Sequence, residues 1–415
     1  MLGLVDGNNF YVSCERIFDP TLRGKPTIVL SNNDGCAIAR SNEAKQLGIT
    51  MGQPLHEIPQ NIRRNLNVRS ANFALYGDIS NRIATILKDL FPQVEVYSID
   101  ESFIALDGIK EVDWIPTCIE ARQRILKWVG IPTCVGIGPT KTLAKLANKC
   151  AKTSPNGVLR ATRGMVRRFP VGDVWGVGRK YAKRLFNEGI TTAQHLAEAD
   201  TTSLQNRYGV VLARTQKELR GIPCADLEVE EPQRQQIIVS RSFGREITAL
   251  PDLLQATSTF AQRACEKLRR RGLQAGGVWV FCHTNPFKDV PQYHPQKTLP
   301  LVVPTADTRD ILCVVEGLTR AMYRDAYAWK KAGVGLLDLN AETIVQGDLF
   351  AASCNPKTTA LMKVLDQANE KFGRGAMSFA SSAIAPDTEA KWAMRQNNLS
   401  SAYTTRWGEL LQVRL

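Results

Sequence analysis

Through the first third of the chain, short apolar runs bounded by turn residues alternate with stretches of helical periodicity. Leu2-Gly3-Leu4-Val5 reads as a buried strand, and the turn-rich Asp6-Gly7-Asn8-Asn9 that follows puts Asp6 at a strand end. A second strand is predicted over 26–30, ahead of the breakers Ser31-Asn32-Asn33-Asp34-Gly35, and a helix over 37–47 closed by Gly48. Strands over 94–99 and 102–106 flank Asp100-Glu101, so this acidic pair falls at their junction. The run Cys134-Val135-Gly136-Ile137-Gly138 predicts a strand leading into a helix from near Pro139 to about Cys150. Alternation of this kind predicts a mixed α/β module.

Over 165–221 the pattern changes to short helices broken by Gly176, Gly178 and Gly189, a small all-α module. The acidic, proline-containing stretch 226–232 reads as a linker. Beyond it, strands over 237–243, 278–282 and 334–339 and helices over 253–271 and 309–327 predict a second α/β module. The remaining residues are weakly patterned, and no internal repeat or low-complexity block is present. A chain of 415 residues exceeds what one hydrophobic core serves, in keeping with several domains.

The net charge of +13 is unevenly placed. Residues 141–220 carry 16 Lys and Arg against 5 Asp and Glu, and 233–340 carry 15 against 9, whereas 1–140 carry 14 against 15. A near-neutral first part followed by basic blocks suggests a catalytic module with an acidic site, joined to modules that grip a polyanion. The ten cysteines are scattered without a CxxC pair and are expected to be reduced and buried, and the four histidines are too dispersed for a metal site. Any metal must then be held by oxygen. No apolar run reaches the length of a membrane span, and the N-terminus lacks the features of a signal peptide, so a cytoplasmic protein with no membrane partner is expected.

Asp6, Asp100 and Glu101, three carboxylates at apolar strand ends, suit hard divalent ions that are shared with substrate phosphates. In a two-metal site Asp6 and Asp100 would bridge the ions, Glu101 would complete one shell and the Gly7 carbonyl would add an oxygen. Lys141, Lys145 and Lys149 recur at fourfold spacing opposite Leu143, Leu146, Ala147 and Cys150, which predicts a packed helix with a cationic stripe, and Lys152 follows just beyond. The nearby Gly136-Ile137-Gly138-Pro139-Thr140-Lys141-Thr142 only superficially resembles a P-loop, because Thr140 stands where glycine is required. Val174-Trp175-Gly176-Val177-Gly178 before the helix of Arg179, Lys180, Lys183 and Arg184 resembles a helix-hairpin-helix. Paired glycines there let backbone N–H groups reach a DNA phosphate. Gln346-Gly347-Asp348-Leu349-Phe350, after the last clear strand, suits insertion into an apolar pocket on a partner.

Taken together, Asp6-Gly7-Asn8-Asn9-Phe10-Tyr11, Ala39-Arg40-Ser41-Asn42-Glu43-Ala44-Lys45, Ser98-Ile99-Asp100-Glu101-Ser102-Phe103, and Gly136-Ile137-Gly138 with Lys141 and Lys145 resemble the Y-family DNA polymerases. Ser31-Asn32-Asn33-Asp34-Gly35-Cys36, Val174 to Arg179, Ser240-Arg241-Ser242-Phe243-Gly244 and Tyr403-Thr404-Thr405-Arg406-Trp407 are similar to its bacterial UmuC type, the catalytic subunit class of DNA polymerase V. The resemblance spans essentially the whole chain. It implies a multidomain right hand: palm over 1–20 and 76–165, small fingers over 21–75, a helical thumb with the helix-hairpin-helix over 166–232, a little finger over 236–340, and a tail over 341–415 that binds clamp and partners.

It further implies Tyr11, with Phe10 beside it, as the steric gate against a ribose 2′-hydroxyl. Asn42 and Lys45, in place of the Tyr and Arg of many relatives, would contact the triphosphate together with Lys152. Lys141, Lys145, Gly176, Gly178, Arg179, Lys180 and Arg241 would meet DNA, and Gln346, Asp348, Leu349 and Phe350 the sliding clamp. The implied activity is error-prone translesion synthesis in the SOS response, using dNTPs, a primed template and two Mg2+ ions, with Mn2+ as an alternative. A processed UmuD dimer and RecA are the implied partners. No second acidic cluster suggests a proofreading nuclease. A nucleotidyl cyclase would share a two-carboxylate sheet but has no need of the basic helical block, and a catalytically silent DNA-binding or scaffolding subunit would have no need of Asp6, Asp100, Glu101 and Tyr11.

Overall fold

In the computed structural model, which describes residues 1–229, 234–341, 356–373, 375–382 and 390–410, the opening apolar run forms β1 (Leu2–Gly7), buried from Gly3 to Gly7. Helix α1 (Phe10–Phe18) follows. The chain then builds a small subdomain from β2 (Thr27–Leu30), β3 (Ala37–Arg40), α2 (Asn42–Gln46), α3 (Gln60–Arg63) and β4 (Asn67–Ser70). Its strands lie in the order β3-β2-β4, with β2 antiparallel to β3 and parallel to β4. The helix expected over 37–47 is here a strand followed by one short helix. Ala37 packs beside Ile28 and Leu30, Ala39 turns with its partner Val29 into the core of the larger sheet, and Ser41 ends the strand by accepting from the N–H groups of Thr27 and Ala44, the second of which caps α2.

After α4 (Phe73–Leu90) come β5 (Val94–Val96), β6 (Glu101–Ala105), α5 (Trp114–Val129), β7 (Thr133–Gly138), α6 (Lys141–Ala151) and β8 (Val158–Arg160). The sheet order β5-β6-β1-β7-β8 places β1 at the centre, antiparallel to both β6 and β7. On one face Val5 and Val135 join a core with Leu75, Ile79, Ala121 and Ile125 of α4 and α5, where each buried Val, Leu or Ile contributes roughly 2 kcal/mol. On the other face Leu4 and Phe103 meet Ala144 of α6. This second helix lies so close to β7 that a Cβ at Gly136 would fall on the backbone of Asn148 and Ala144. Asn148 in turn donates to the carbonyls of Leu4 (3.1 Å) and Cys134 (2.9 Å). Helix α6 is thereby fixed to the strands that carry Asp6.

Five short helices, α7 (Arg163–Arg168), α8 (Arg179–Asn187), α9 (Ala193–Glu198), α10 (Thr201–Tyr208) and α11 (Val210–Leu219), close over Val171, Val174, Leu185, Leu196 and Leu212 and share that core with Leu143 and Leu146 of α6. These elements, with Asn397–Leu415, make one compact unit; Gln233–Gln396 make a second.

The second unit contains β9 (Gln236–Ile247), α12 (Leu250–Arg269), β10 (Leu273–His283), β11 (Gln296–Thr305), α13 (Thr308–Met322), β12 (Trp329–Ala341) and α14 (Pro356–Phe372). Its antiparallel sheet runs β11-β10-β12-β9, with α12 and α13 on one face around Leu253, Phe260, Val278, Val280 and Ile311. Strand β11 lies outside the sequence reading because Pro300 and Pro304 interrupt its pattern, which an edge strand tolerates. Helix α14 also lies outside that reading; Asp366 on it accepts both Nε and Nη2 of Arg269 at 2.7 Å. The described cysteines are free thiols; five are buried and Cys313 is exposed. Among the described residues no helix is long and apolar enough to cross a membrane.

Candidate active site

Strand register brings the first two carboxylates together. Asp6 on β1 pairs directly with Glu101, the first residue of β6, and the Gly7 N–H donates to the Asp100 carbonyl at 2.8 Å. Ser98 shapes the bend between β5 and β6: its hydroxyl donates to Asp100 Oδ1 (2.7 Å) and accepts from the Glu101 N–H (3.1 Å). The three carboxylates therefore share one end of the central strands, Asp6 buried at 8% exposure and Asp100 exposed.

Lysines from α6 and its C-terminal end meet this acidic end. Lys152 Nζ lies 2.9 Å from Asp6 Oδ1 and 3.0 Å from Oδ2, and Lys145 Nζ lies 2.9 Å from Glu101 Oε2. Lys145 also sits 4.5 Å from the Tyr97 ring centroid and 4.9 Å from that of Trp175, so its ammonium is held by one carboxylate and two aromatic faces. Burial raises the Asp6 carboxyl from 3.8 to about 6 against the pull of Lys152, and the neighbouring Glu101 and Asp100 charges add to the rise. A carboxylate so placed gains from a strong local cation. Among the described residues no three His, Cys, Asp or Glu side chains are gathered into a finished metal cage, and Asp6 and Glu101 are each paired with a lysine. The donor set of buried and exposed carboxylate oxygens nonetheless fits a hard divalent ion.

The β2 to β4 subdomain reaches the same place through Asn9. This residue adopts a left-handed conformation (φ 49°), which asparagine tolerates, and it bridges two others. Its Nδ2 donates to Asn42 Oδ1 at 3.0 Å, and its Oδ1 accepts from Lys45 Nζ at 2.6 Å. Burial, with the charges of Arg40 and Lys152 nearby, lowers the Lys45 ammonium. Lys45, Arg40 and Lys152 thus form a cationic side to the acidic centre. Sequence reasoning missed Asn9 as the bridge, and its only local signal is a residue type suited to αL next to the Asp6-Gly7 turn.

Phe10 is buried, while Tyr11 stacks on Tyr76 (centroids 4.5 Å, 16°) and meets Phe73 edge-on at 6.1 Å. Burial raises the Tyr11 phenol, and the charge of Asp100 adds to the rise.

Other residues from the sequence reading lie elsewhere. Lys141 is only 4% exposed and pairs with buried Glu95 at 2.6 Å, so it is withdrawn from the cationic stripe, and Lys149 pairs with Asp173 at 2.6 Å. Gly176 has φ +86°, open to glycine without strain, and Gly178 precedes α8, whose Arg179 and Lys180 are exposed. Arg241 lies on the same face of β9 as Val239 and Phe243, the covered face, with Nη1 3.7 Å from Met394 Sδ. It is therefore not offered on the open face of the sheet. Gln346, Asp348, Leu349 and Phe350 lie outside the described residues.

Comparison with known proteins agrees with this architecture. Residues 5–149 match the impB/mucB/samB family, residues 234–349 match the impB/mucB/samB family C-terminal domain, and residues 359–413 match a domain of unknown function, DUF4113. The chain is 42% identical to Protein UmuC of Salmonella typhimurium over the full length of both, and 40% identical to Protein MucB of Escherichia coli over 98% of each. It is 28% identical to DNA polymerase IV 1 of Bacillus subtilis, over 89% of this chain and 90% of that one. A solved chimeric Y-family DNA polymerase superimposes with a TM-score of 0.67 at 21% identity, covering 82% of this chain and 99% of that one. An insertion ternary complex of Dbh DNA polymerase gives 0.55 at 20% identity, again covering 82% and 99%. The carboxylate cluster thus stands on a Y-family framework, and the chain belongs to the impB/mucB/samB family as a UmuC-type Y-family DNA polymerase, a DNA-directed enzyme of translesion synthesis.

Proposed function

We propose that the chain adds dNTPs to a primer 3′-hydroxyl by two-metal catalysis at Asp6, Asp100 and Glu101, without proofreading, in the SOS response. The observation that carries this reading is the direct pairing of Asp6 with Glu101 across β1 and β6, with Asp100 in the adjoining bend. On this reading the central sheet with α1 and α4 to α6 is the palm, the β2 to β4 subdomain the fingers, α7 to α11 the thumb, and the sheet of β9 to β12 with α12 and α13 the little finger.

Asp6 and Asp100 would hold two Mg2+ ions, with Glu101 and the Gly7 carbonyl completing the shells. Bound there, the ions lower the pKa of the primer hydroxyl and neutralise the leaving pyrophosphate. Lys152, Lys45 and Asn42 line the side from which a triphosphate enters. Their existing bonds, to Asp6 and to Asn9, are made with groups that a metal and a phosphate would replace or engage. Tyr11, backed by Tyr76 and carried at the start of α1 just beyond Asp6, would face the sugar of the incoming nucleotide. The exposed Arg179 and Lys180 beside Gly178 would hold the DNA backbone. A processed UmuD dimer, RecA and the sliding clamp are the proposed partners, and the cytoplasm the proposed compartment.

The decisive assay is Mg2+-dependent extension of a primed template containing an abasic site, run with the chain alone and with processed UmuD, RecA filament and clamp. Asp100→Ala is expected to lose extension while retaining DNA binding. Extension by that variant at the normal rate would remove the assignment of the metal site.

A further inference from the structure

The C-terminal stretch of the first unit is seated on the junction between α1, β4 and α4. Leu399 forms a parallel bridge with Ser70, and the Ser70 N–H donates to the Asn398 carbonyl at 2.9 Å, which extends the edge of β4. The Asn397 N–H donates to Asp34 Oδ2 (2.7 Å) and the Asn398 N–H to Ser70 Oγ (3.0 Å). Asn72 caps α4 with its Oδ1 and donates from Nδ2 to the Ser400 hydroxyl at 3.0 Å. Tyr403 then stacks on Phe18 with centroids 4.8 Å apart and planes at 4°.

At the centre of this seat lies Glu15 of α1, 1% exposed. Its Oε1 accepts from the Tyr76 hydroxyl at 2.7 Å and from the Ser400 hydroxyl at 3.1 Å. Arg69, the cation that acts on it, makes its own ion pair with Asp19 at 2.8 Å, so two neutral hydroxyls supply the direct bonds. A carboxylate removed from water depends on such donors, and losing one is costly. The nearer donor, Tyr76, is also the ring on which Tyr11 stacks. Ser400, Glu15, Tyr76 and Tyr11 therefore form an unbroken series of contacts from the tail to the Tyr11 ring.

We propose that residues 397–403 form a strap whose Ser400 hydroxyl, through Glu15 and Tyr76, positions the Tyr11 ring and so sets discrimination against the ribose 2′-hydroxyl. The proposal rests on the reading of Tyr11 as the sugar gate. Glu15, Tyr76 and Ser400 are positioning residues, since they act through Tyr11. A gate excludes a 2′-hydroxyl only if the wall behind it does not yield. With the strap in place, both hydroxyls converge on one carboxylate oxygen and fix the tilt of the Tyr76 ring. With Ser400 removed, water enters the seat and competes with Tyr76 for Glu15, and the ring behind Tyr11 is freed to give way.

The test measures kcat and KM for single additions of a dNTP and the matching rNTP by the full-length protein on a primed template. Tyr11→Ala is expected to remove most of the discrimination. Ser400→Ala and Glu15→Ala are expected to lower the ratio of kcat/KM values about tenfold, mainly through a lower KM for the rNTP, which is the scale of one lost hydrogen bond to a charged group. Glu15→Gln keeps an oxygen acceptor for both hydroxyls and is expected to restore the ratio. Trp407→Ala, at a side chain 89% exposed beyond the strap, is expected to leave it unchanged.

A merely structural role for the seat would lower both rates alike and keep the ratio, and that result overturns the proposal. Ser400→Ala removes a single hydroxyl, so it separates the two outcomes even where Glu15→Ala fails to fold. Loss of discrimination in Tyr11→Ala together with a wild-type ratio in Ser400→Ala and Glu15→Ala defeats the strap alone. An unchanged ratio in Tyr11→Ala defeats the gate reading, and the strap with it.

Discussion

The two units bury different chemistry. Among the described residues, the first buries the charged groups Asp6, Glu15, Glu95, Lys141 and Glu218, whereas the second buries hydroxyls and amides such as Thr257, Ser258, Gln274, Thr308 and Thr319, with Asp307 as its one carboxylate. Burying an ionised group costs several kcal/mol unless it is well paired, so such groups are weak contributors to stability. Their placement explains them better. Lys141 with Glu95, and Glu218 with the Thr142 N–H and hydroxyl, fix the start of α6, the helix that carries Lys145 and leads to Lys152. Glu15 lies on α1, which carries Tyr11. The buried charge of the first unit thus acts on the two helices that arm the carboxylate site, while that of the second is the single carboxylate that caps α13.

The largest expected effect tests that division. Asp6→Asn keeps the shape of the side chain but removes a charge that divalent ions require, and primer extension is expected to fall at least about a thousandfold. Asp307→Ala removes the cap of α13 in the second unit and is expected to cost about 1 kcal/mol of stability with extension per folded molecule unchanged. Steady-state extension and urea unfolding on both variants separate the two. If Asp307→Ala also abolishes extension by folded protein, the contrast between the units does not hold.

Next in size is the buried ion pair. Lys141→Met leaves Glu95 buried without its cation and is expected to destabilise the first unit by about 3–4 kcal/mol. The double change Lys141→Met with Glu95→Leu is expected to recover most of that loss. Affinity for DNA, measured by fluorescence anisotropy on folded protein, is expected to stay the same. A drop in affinity without a drop in stability would return Lys141 to the DNA-facing stripe.

The raised carboxyl of Asp6 sets a pH dependence with a definite sign. Its folded value of about 6 lies above its ordinary 3.8, so between these values the folded chain keeps a proton that the unfolded chain releases. Asp6 therefore contributes stability that is complete below 3.8 and is lost as pH rises through about 6, an amount near 3 kcal/mol. In the presence of EDTA, the stability of wild type relative to Asp6→Asn is expected to decline across this window. Added Mg2+ is expected to reverse the decline above pH 6 and to do little below 3.8. A difference between the two proteins that stays flat with pH would show that Asp6 is not held in this state.

What could be read from the sequence was local. The strand ending at Asp6, the bend at Asp100-Glu101, the glycines before α8 and the helix after Gly138 are each specified by neighbours within a few residues, and the structure has all four features. Long-range pairing was not legible. A fourfold lysine spacing cannot reveal that Lys141 turns to Glu95, 46 residues away, or that Asn9 reaches Asn42 and Lys45. Alternation at Ala37 and Ala39 is visible only once β2 supplies a partner, because small residues suit a helix equally well. The seat of residues 397–403 rests on contacts more than three hundred residues apart in the chain, and nothing in the weakly patterned tail announces it.

Two glycines carry the comparison to its smallest scale. A Cβ at Gly136 would fall on the backbone of Asn148 and Ala144, whereas one at Gly333 in the second unit would meet the edge of the Phe281 ring and the Ser240 side chain. Backbone cannot yield without moving the helix, and the helix that would move carries Lys145. At Gly333 the obstacles are side chains on neighbouring strands, which can shift without moving a helix that carries a site residue. Gly136→Ala is therefore expected to cost about 3 kcal/mol and to slow extension by folded protein, while Gly333→Ala is expected to cost about 1 kcal/mol and leave the rate unchanged. Urea midpoints and extension rates on the same preparations check both. Equal penalties would mean that the close approach of α6 to β7 is no more demanding than ordinary packing, and that Lys145 and Lys152 owe their positions to their ion pairs and not to the helix beneath them.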